Sequence, residues 1–163
     1  MDIRDILVIN PGSTSTKIAV YTDHNSRTVI NYAIVHDDEI INSFGSLGEQ
    51  ENYRKKMILG QLKDADYDMS NLSAVVGRGG MAPELESGGY RVNEALCCRM
   101  TSSQIPQHAS SLGAVLAYSI GKPLGIPAYI YDSTMGSELD ALAGGAYRLL
   151  TGQEKTKEYT YGQ

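Results

Sequence analysis

The run at 6–21, Ile-Leu-Val-Ile-Asn10-Pro-Gly-Ser-Thr-Ser-Thr-Lys17-Ile-Ala-Val-Tyr, most constrains what this chain can become. Two apolar, β-branched stretches flank a short segment crowded with hydroxyls, and Pro11 and Gly12 break the first stretch, so the flanks read as neighbouring strands joined by a turn. Such a turn can offer hydroxyls and backbone N–H groups to an anion. Gly12 and Lys17 invite comparison with the phosphate loop G-x-x-x-x-G-K-[ST], but the second glycine is absent and Lys17 leads into a strand. A Walker-type loop is not expected. On the hairpin alone two readings stand: an anion-binding turn, and a surface hairpin in which Ser13, Thr14, Ser15 and Thr16 are ordinary turn formers.

The rest of the chain has to discriminate them. At 163 residues it is long enough for one well-buried domain, and its 42% hydrophobic content is that of an ordinary globular protein. No apolar run approaches the roughly 20 residues of a membrane span, and the start Met-Asp-Ile-Arg-Asp lacks the pattern of a secretory signal, so a cytoplasmic protein without a membrane partner is expected. A formal net charge of −5 argues against a nucleic-acid partner, since phosphate backbones demand a basic face. A single nucleotide needs only a few local donors. Cys97 and Cys98 are adjacent and form neither a CxxC pair nor a disulfide framework; they read as small buried helix residues.

Beyond the hairpin, 27–35 alternates as a third strand and completes an antiparallel meander. His36, Asp37, Asp38 and Glu39 read as a solvated stretch, with cation binding the less favoured alternative. A helix is predicted over 49–62, with Tyr53, Met57, Ile58 and Leu62 inward and Glu51, Arg54, Lys55 and Lys56 outward. Residues 74–77 form a short buried strand running into Arg78-Gly-Gly, where glycines let the backbone turn beside a ligand. A short strand at 90–92 follows, then a helix through Cys97 to Met100 capped by Asn93. Leu112, Leu116 and Ile120 mark a helix beginning just after His108. Residues 125–131 make a last buried strand ending at Asp132, which closes a βαβ unit with a parallel pair.

In such sheets ligands bind outside the strand carboxyl ends. Asn10, Arg78 and Asp132 all fall there, a convergence that structure alone explains poorly. The motifs INPGSTSTKIAVY, AVVGRGG, GGYRVNEAL, QHASSLGA and LGIPAYIYD, in this order and spacing, resemble the acetate and butyrate kinase family, and the butyrate branch in particular. The resemblance runs from about Ile6 to Asp132. It implies an α/β fold of the actin-like ATPase (ribonuclease H-like) type, a mixed sheet with an antiparallel meander followed by βαβ and flanking helices.

It also implies transfer of the γ-phosphoryl group of ATP to a short-chain or branched-chain carboxylate such as butyrate or isobutyrate, giving an acyl phosphate and ADP, with magnesium as cofactor. By the same resemblance Asn10 helps hold the metal or its water, Ser13 and Ser15 donate to the nucleotide phosphates, and Lys17 supplies a cation. Arg78 would meet the substrate carboxylate, whose paired oxygens suit its planar fork. His108 would stand beside the transferring phosphoryl group, against the alternative that it only caps or packs at the helix start. Asp132 would steer the carboxylate or the metal.

Members of the family are roughly twice as long, and their second domain carries the nucleotide-binding loops. The expectation is therefore a family-type domain over 1–140, an unassigned helix remnant and loose tail over 141–163, no C-terminal nucleotide-binding domain, and little activity alone. Self-association through an exposed domain seam is a further expectation. The competing reading is a non-catalytic phosphate-binding or regulatory module acting through a partner chain; a sugar-kinase half-domain is disfavoured because Asn10 stands where that class carries Asp.

Overall fold

The computed structural model of the chain describes residues 5–22, 27–80, 82–132 and 139–160. Seven strands form one sheet: β1 (Asp5–Pro11), β2 (Ser15–Thr22), β3 (Arg27–Val35), β4 (Leu72–Arg78), β5 (Gly88–Arg91), β6 (Ala128–Asp132) and β7 (Lys157–Glu158), in the spatial order β3-β2-β1-β4-β6-β5-β7. β1, β2 and β3 are the expected antiparallel meander. β4 runs parallel to β1 on one side and to β6 on the other, so the centre of the sheet is parallel. β5 returns antiparallel to β6, and β7 adds to its far edge.

Burial on both faces explains the near-continuous apolar runs of β1 and β4. Successive side chains go to opposite sides. Leu7, Ile9, Ile18 and Val75 enter one layer with Ile58 and Leu62 of α2 (Glu51–Asp64), Leu96 and Met100 of α3 (Glu94–Met100), and Leu112 and Leu116 of α4 (Leu112–Leu124). Ile6, Val8, Ala74 and Val76 enter the other, against Leu142, Ala146 and Leu149 of α5 (Leu139–Thr151). No helix among the described residues is long and apolar enough to cross a membrane.

The tightest joint lies between β4 and the start of α4. A Cβ on Gly77 would stand 2.2 Å from the Gly113 carbonyl oxygen, and one on Gly113 would stand 2.4 Å from the Arg78 oxygen. Backbone meets backbone, which only glycine at both positions permits. The helix predicted after His108 starts with a 3-10 turn at Ala109–Ser111 and continues as α4. Asn93 caps α3 as expected, its Oδ1 accepting from the Leu96 N–H at 2.8 Å.

Four expectations are corrected. His36 is buried, not solvated, and Asp37 caps a short helix, α1 (Asp38–Ser43), through its carboxylate. On α2 the inward face is rotated: Arg54 is fully buried while Met57 is exposed, because Arg54 finds polar acceptors under the hairpin and Met57 has no facing layer. Cys98 is exposed and Cys97 half-buried, both free, since Leu96 and Met100 occupy the buried stripe of α3. The tail is held in place: α5 covers one sheet face, β7 pairs with β5, and Tyr159 is buried.

The glycine joint gives a direct test. Gly77→Ala or Gly113→Ala is expected to destabilise the protein by about 3 kcal/mol or to prevent folding, because backbone cannot yield as a rotamer can. Gly60→Ala, in α2 with open space at its Cβ, is expected to stabilise by about 0.5–1 kcal/mol. Urea unfolding of the three variants reads both outcomes.

Candidate functional site

The carboxyl ends of β1, β4 and β6 lie side by side. Ile9 pairs with Gly77 and Gly77 with Ile130, so Asn10 and Arg78 each stand one residue beyond a shared register line, and Asp132 ends the neighbouring strand. Asn10 pairs across the hairpin with Lys17, which is exposed. Asn10, Lys17 and Arg78 share the sheet face of Val8 and Val76, by the alternation of the strands. Asn10 and Arg78 are half-buried.

The hairpin turn is organised from underneath. Gly12 N–H donates to the Ser15 carbonyl at 2.7 Å and His36 N–H to the Thr14 carbonyl at 2.9 Å. Arg54 reaches up from α2: Nη1 donates to the Ser15 carbonyl (3.2 Å) and to Thr16 Oγ1 (3.1 Å), and Nη2 to the Ser13 carbonyl (3.4 Å). Gln50 Oε1 braces the guanidinium from Nε and Nη2. The carbonyls of Ser13, Thr14 and Ser15 are thus all engaged within the protein. The amides of Ser13 and Thr14 have no protein acceptor among the described residues, and both side chains are exposed. A turn with its carbonyls occupied inside and N–H groups without a protein acceptor has donors it can present to an anion.

Beneath the turn, His36 Nε2 lies 2.7 Å from Thr16 Oγ1. Thr16 Oγ1 also accepts from Arg54, which leaves the hydroxyl one lone pair and its hydrogen with which to meet His36 Nε2. Nδ1 is buried without a partner among the described residues. Burial, and next the Arg54 charge, lower the His36 pKa to about 4. Tyr53 packs its ring against the imidazole at 5.4 Å.

Across the edge, the turn before α4 carries His108. It is exposed, and its Nδ1 accepts from the Ser110 N–H at 3.1 Å, with Ser110 Oγ at 2.7 Å. An Nδ1 that accepts an amide hydrogen leaves the proton on Nε2, so the ring caps the turn and keeps a donor on its other nitrogen. Ser111 Oγ is buried without a partner among the described residues, beside Gly80, whose Cβ would come within 3.1 Å of it.

Gly79 and Gly80 open into a pocket of about 260 Å³ lined by Ala82, Pro83, Leu85, Glu86, Tyr90 and Ile130 among others. Its rim is fastened. Arg99 grips Glu84 through Nε (2.5 Å) and Nη2 (3.1 Å), and Tyr159 OH donates to the same carboxylate. The Arg99 bonds hold Glu84 down at about 2. Lys157 Nζ donates to the Ser87 carbonyl.

The structure therefore brings Asn10, Ser13, Ser15, Lys17 and Arg78 to one sheet edge, with His108 on the turn leading to α4 and Asp132 at the end of β6. Sequence reading missed Arg54 and His36. A basic residue on a helix otherwise rich in Lys and Glu carries no signal of burial, and only the unmatched hydroxyl turn hints that something must satisfy it. Among the described residues no three His, Cys, Asp or Glu side chains cluster as metal ligands.

Comparison with known proteins gives relatives along most of the chain. It is 42% identical over 138 residues to a protein of Clostridium botulinum (strain Eklund 17B / Type B) described as "Probable butyrate kinase", covering 85% of this chain and 38% of that one. It is 40% identical over 138 residues to "Butyrate kinase 1" of Clostridium acetobutylicum, with the same coverage. The chain thus spans well under half the length of the curated relatives it matches. Among solved structures, Porphyromonas gingivalis acetate kinase superposes with a TM-score of 0.51 at 17% identity, over 78% of this chain and 37% of that one. That likeness shows that the chain shares the fold of that structure, an α/β fold whose mixed sheet and flanking helices are those expected from the motifs. No family model matches.

The buried imidazole predicts a pH response. A folded-state pKa of about 4 against an unfolded value near 6.5 means that the unfolded chain takes up a proton first as pH falls. The stability present above pH 6.5 should fall as pH drops from about 6.5 to about 4, by on the order of 2 kcal/mol from this group. His36→Gln is expected to flatten that part of the profile, read as the urea midpoint against pH; an unchanged slope refutes it.

Proposed function

We propose that this chain belongs to the acetate and butyrate kinase family, as its 42% and 40% identity over 138 residues to a probable butyrate kinase and a butyrate kinase supports, and that these residues supply the carboxylate side, and part of the phosphate grip, of a butyrate kinase-type site. The reaction is ATP plus a short-chain or branched-chain fatty acid to acyl phosphate plus ADP. A carboxylate oxygen forms a bond to the γ-phosphorus as the bond to the β–γ bridging oxygen breaks, and ADP leaves with that electron pair. The transition state is loose and anionic, so positioning and charge neutralisation carry the rate.

The observation that carries this reading is the turn at 12–15, with its carbonyls occupied inside and two amides left outside, at the same sheet edge as Arg78. On it, the amides of Ser13 and Thr14 and the hydroxyls of Ser13 and Ser15 receive nucleotide phosphates and Lys17 adds a cation. Arg78 binds the carboxylate through its fork. The pocket beyond Gly79 and Gly80, with Ala82, Leu85, Tyr90 and Ile130 in its wall, suits a short acyl chain. His108 Nε2–H donates to a phosphoryl oxygen, and Asp132 orients the carboxylate or the cation. A carboxylate is already ionised at neutral pH, so no base is required.

Asn10 would offer its carboxamide oxygen to a magnesium ion carried by the nucleotide, which would supply neutralisation of the phosphate charge. The donor set fits, because this cation favours oxygen ligands and keeps most of its water, needing few protein groups. A cytoplasmic setting suits the substrates.

We further propose that residues 1–140 form the family-type domain, that 141–160 brace it, and that the chain alone turns over slowly. The relatives it matches are more than twice as long, and a half-site loses the interactions that domain closure adds. That same shortfall supports a second reading, a phosphate-binding module acting through a partner chain.

Acyl-hydroxamate formation from ATP, magnesium, butyrate and hydroxylamine is expected to run slower than in a full-length relative by about 10²-fold or more. Butyrate should still raise the melting temperature of the chain, and Arg78→Ala should abolish that rise. A folded chain that ignores butyrate, or an Arg78→Ala variant that responds like the wild type, overturns the carboxylate kinase reading and favours the second.

A further inference from the structure

A guanidinium deep in a protein ordinarily faces a carboxylate, since an uncompensated buried charge is expensive. Arg54 is fully buried and makes no ion pair among the described residues. Its N–H groups go to Gln50 Oε1, the Ser13 and Ser15 carbonyls and Thr16 Oγ1, all of them neutral acceptors. Burial lowers its pKa only to about 10, so it is a cation at neutral pH. His36, the other titratable group joined to Thr16, is neutral there and cancels nothing. A positive charge without a counter-charge therefore sits under a turn whose outer amides at Ser13 and Thr14 have no protein acceptor among the described residues.

We propose that Arg54 is a positioning residue for nucleotide phosphate: it turns the carbonyls of the 12–15 hairpin inward so that the amides face out, and the bound polyphosphate supplies the negative charge that the buried guanidinium lacks. The inference rests on reading the hairpin as the phosphate site, as above. Arg54 acts through the turn and touches no phosphate. It differs from Lys17, an exposed cation at the strand edge, in two ways. Its field acts through protein, so added salt screens it little, and its fork fixes a backbone shape that a point charge cannot.

The test titrates the full 163-residue chain, labelled with nitrogen-15, with inorganic tripolyphosphate at low and at high salt. In the wild type the amides of 12–17 should shift on binding, and so should Arg54 Nε–H, which makes no contact with the ligand. Arg54→Met is expected to weaken binding by about tenfold or more at both salt concentrations, and Arg54→Lys, which keeps the charge and loses the fork, by about threefold. Lys17→Ala should lose affinity mainly at low salt. A folded Arg54→Met binding within twofold of the wild type overturns the inference and leaves Arg54 a packing residue. Should Arg54→Met fail to fold, Arg54→Lys decides: wild-type affinity in that variant overturns the inference, and threefold loss with an intact spectrum elsewhere upholds it. Wild-type protein whose hairpin amides ignore tripolyphosphate would instead remove the phosphate reading itself, and this inference with it.

Discussion

The contact between Gly77 and Gly113 sets the geometry on which the rest of the site depends. Two backbone segments meet with no side chain between them, so the first turn of α4 is pinned at the carboxyl end of β4. That one approach fixes three things. It places Arg78 at the strand end with the Gly79–Gly80 turn leading away from it. It sets the 3-10 turn, and with it His108, at that same end of the sheet. It also leaves Ser111 buried against Gly80. Packed backbone is nearly incompressible, so an edge built this way is held to within tenths of an ångström, the tolerance that loosely tethered loops do not reach.

The hairpin obeys a different logic. Its own sequence is permissive, since serines and threonines tolerate several turn shapes. What selects one is the polar cluster beneath, in which Arg54, Gln50, Thr16 and His36 satisfy one another and take up the turn's carbonyls. Such clusters are stable only when nearly complete. The incomplete members here, His36 Nδ1 and the charge of Arg54, are the points at which this region departs from the best packing the fold could have and leaves room for a ligand to matter.

Much of this was legible before any coordinates. Strand alternation and the breaks at Pro11, Gly79 and Gly125 locate the sheet, because two-sided burial writes itself as unbroken runs of valine and isoleucine. The edge positions of Asn10, Arg78 and Asp132 follow from where those runs stop. Arg54 was illegible because charge on a helix predicts solvent, and nothing local records that a turn nearly forty residues away has carbonyls to satisfy. His36 was hidden by its company: three acidic neighbours made an exposed stretch the natural reading, while its own burial depends on Thr16 and Tyr53. The tail resisted for a related reason. Its polar composition beyond α5 reads as loose chain, yet Tyr159 buries its ring and gives a hydroxyl to Glu84, which helps to tie it down.

That tie sets the order in which the pocket can be completed. Tyr159 bonds to Glu84 across 75 residues, and its carbonyl accepts from Asn93 Nδ2 across 66. The hairpin and the β1–β2–β3 meander, by contrast, close over short loops whose entropic cost is small. A chain made from its amino terminus can therefore form the 12–15 turn while still on the ribosome. The rim of the pocket beyond Gly79 and Gly80 is fastened only once Tyr159 has emerged.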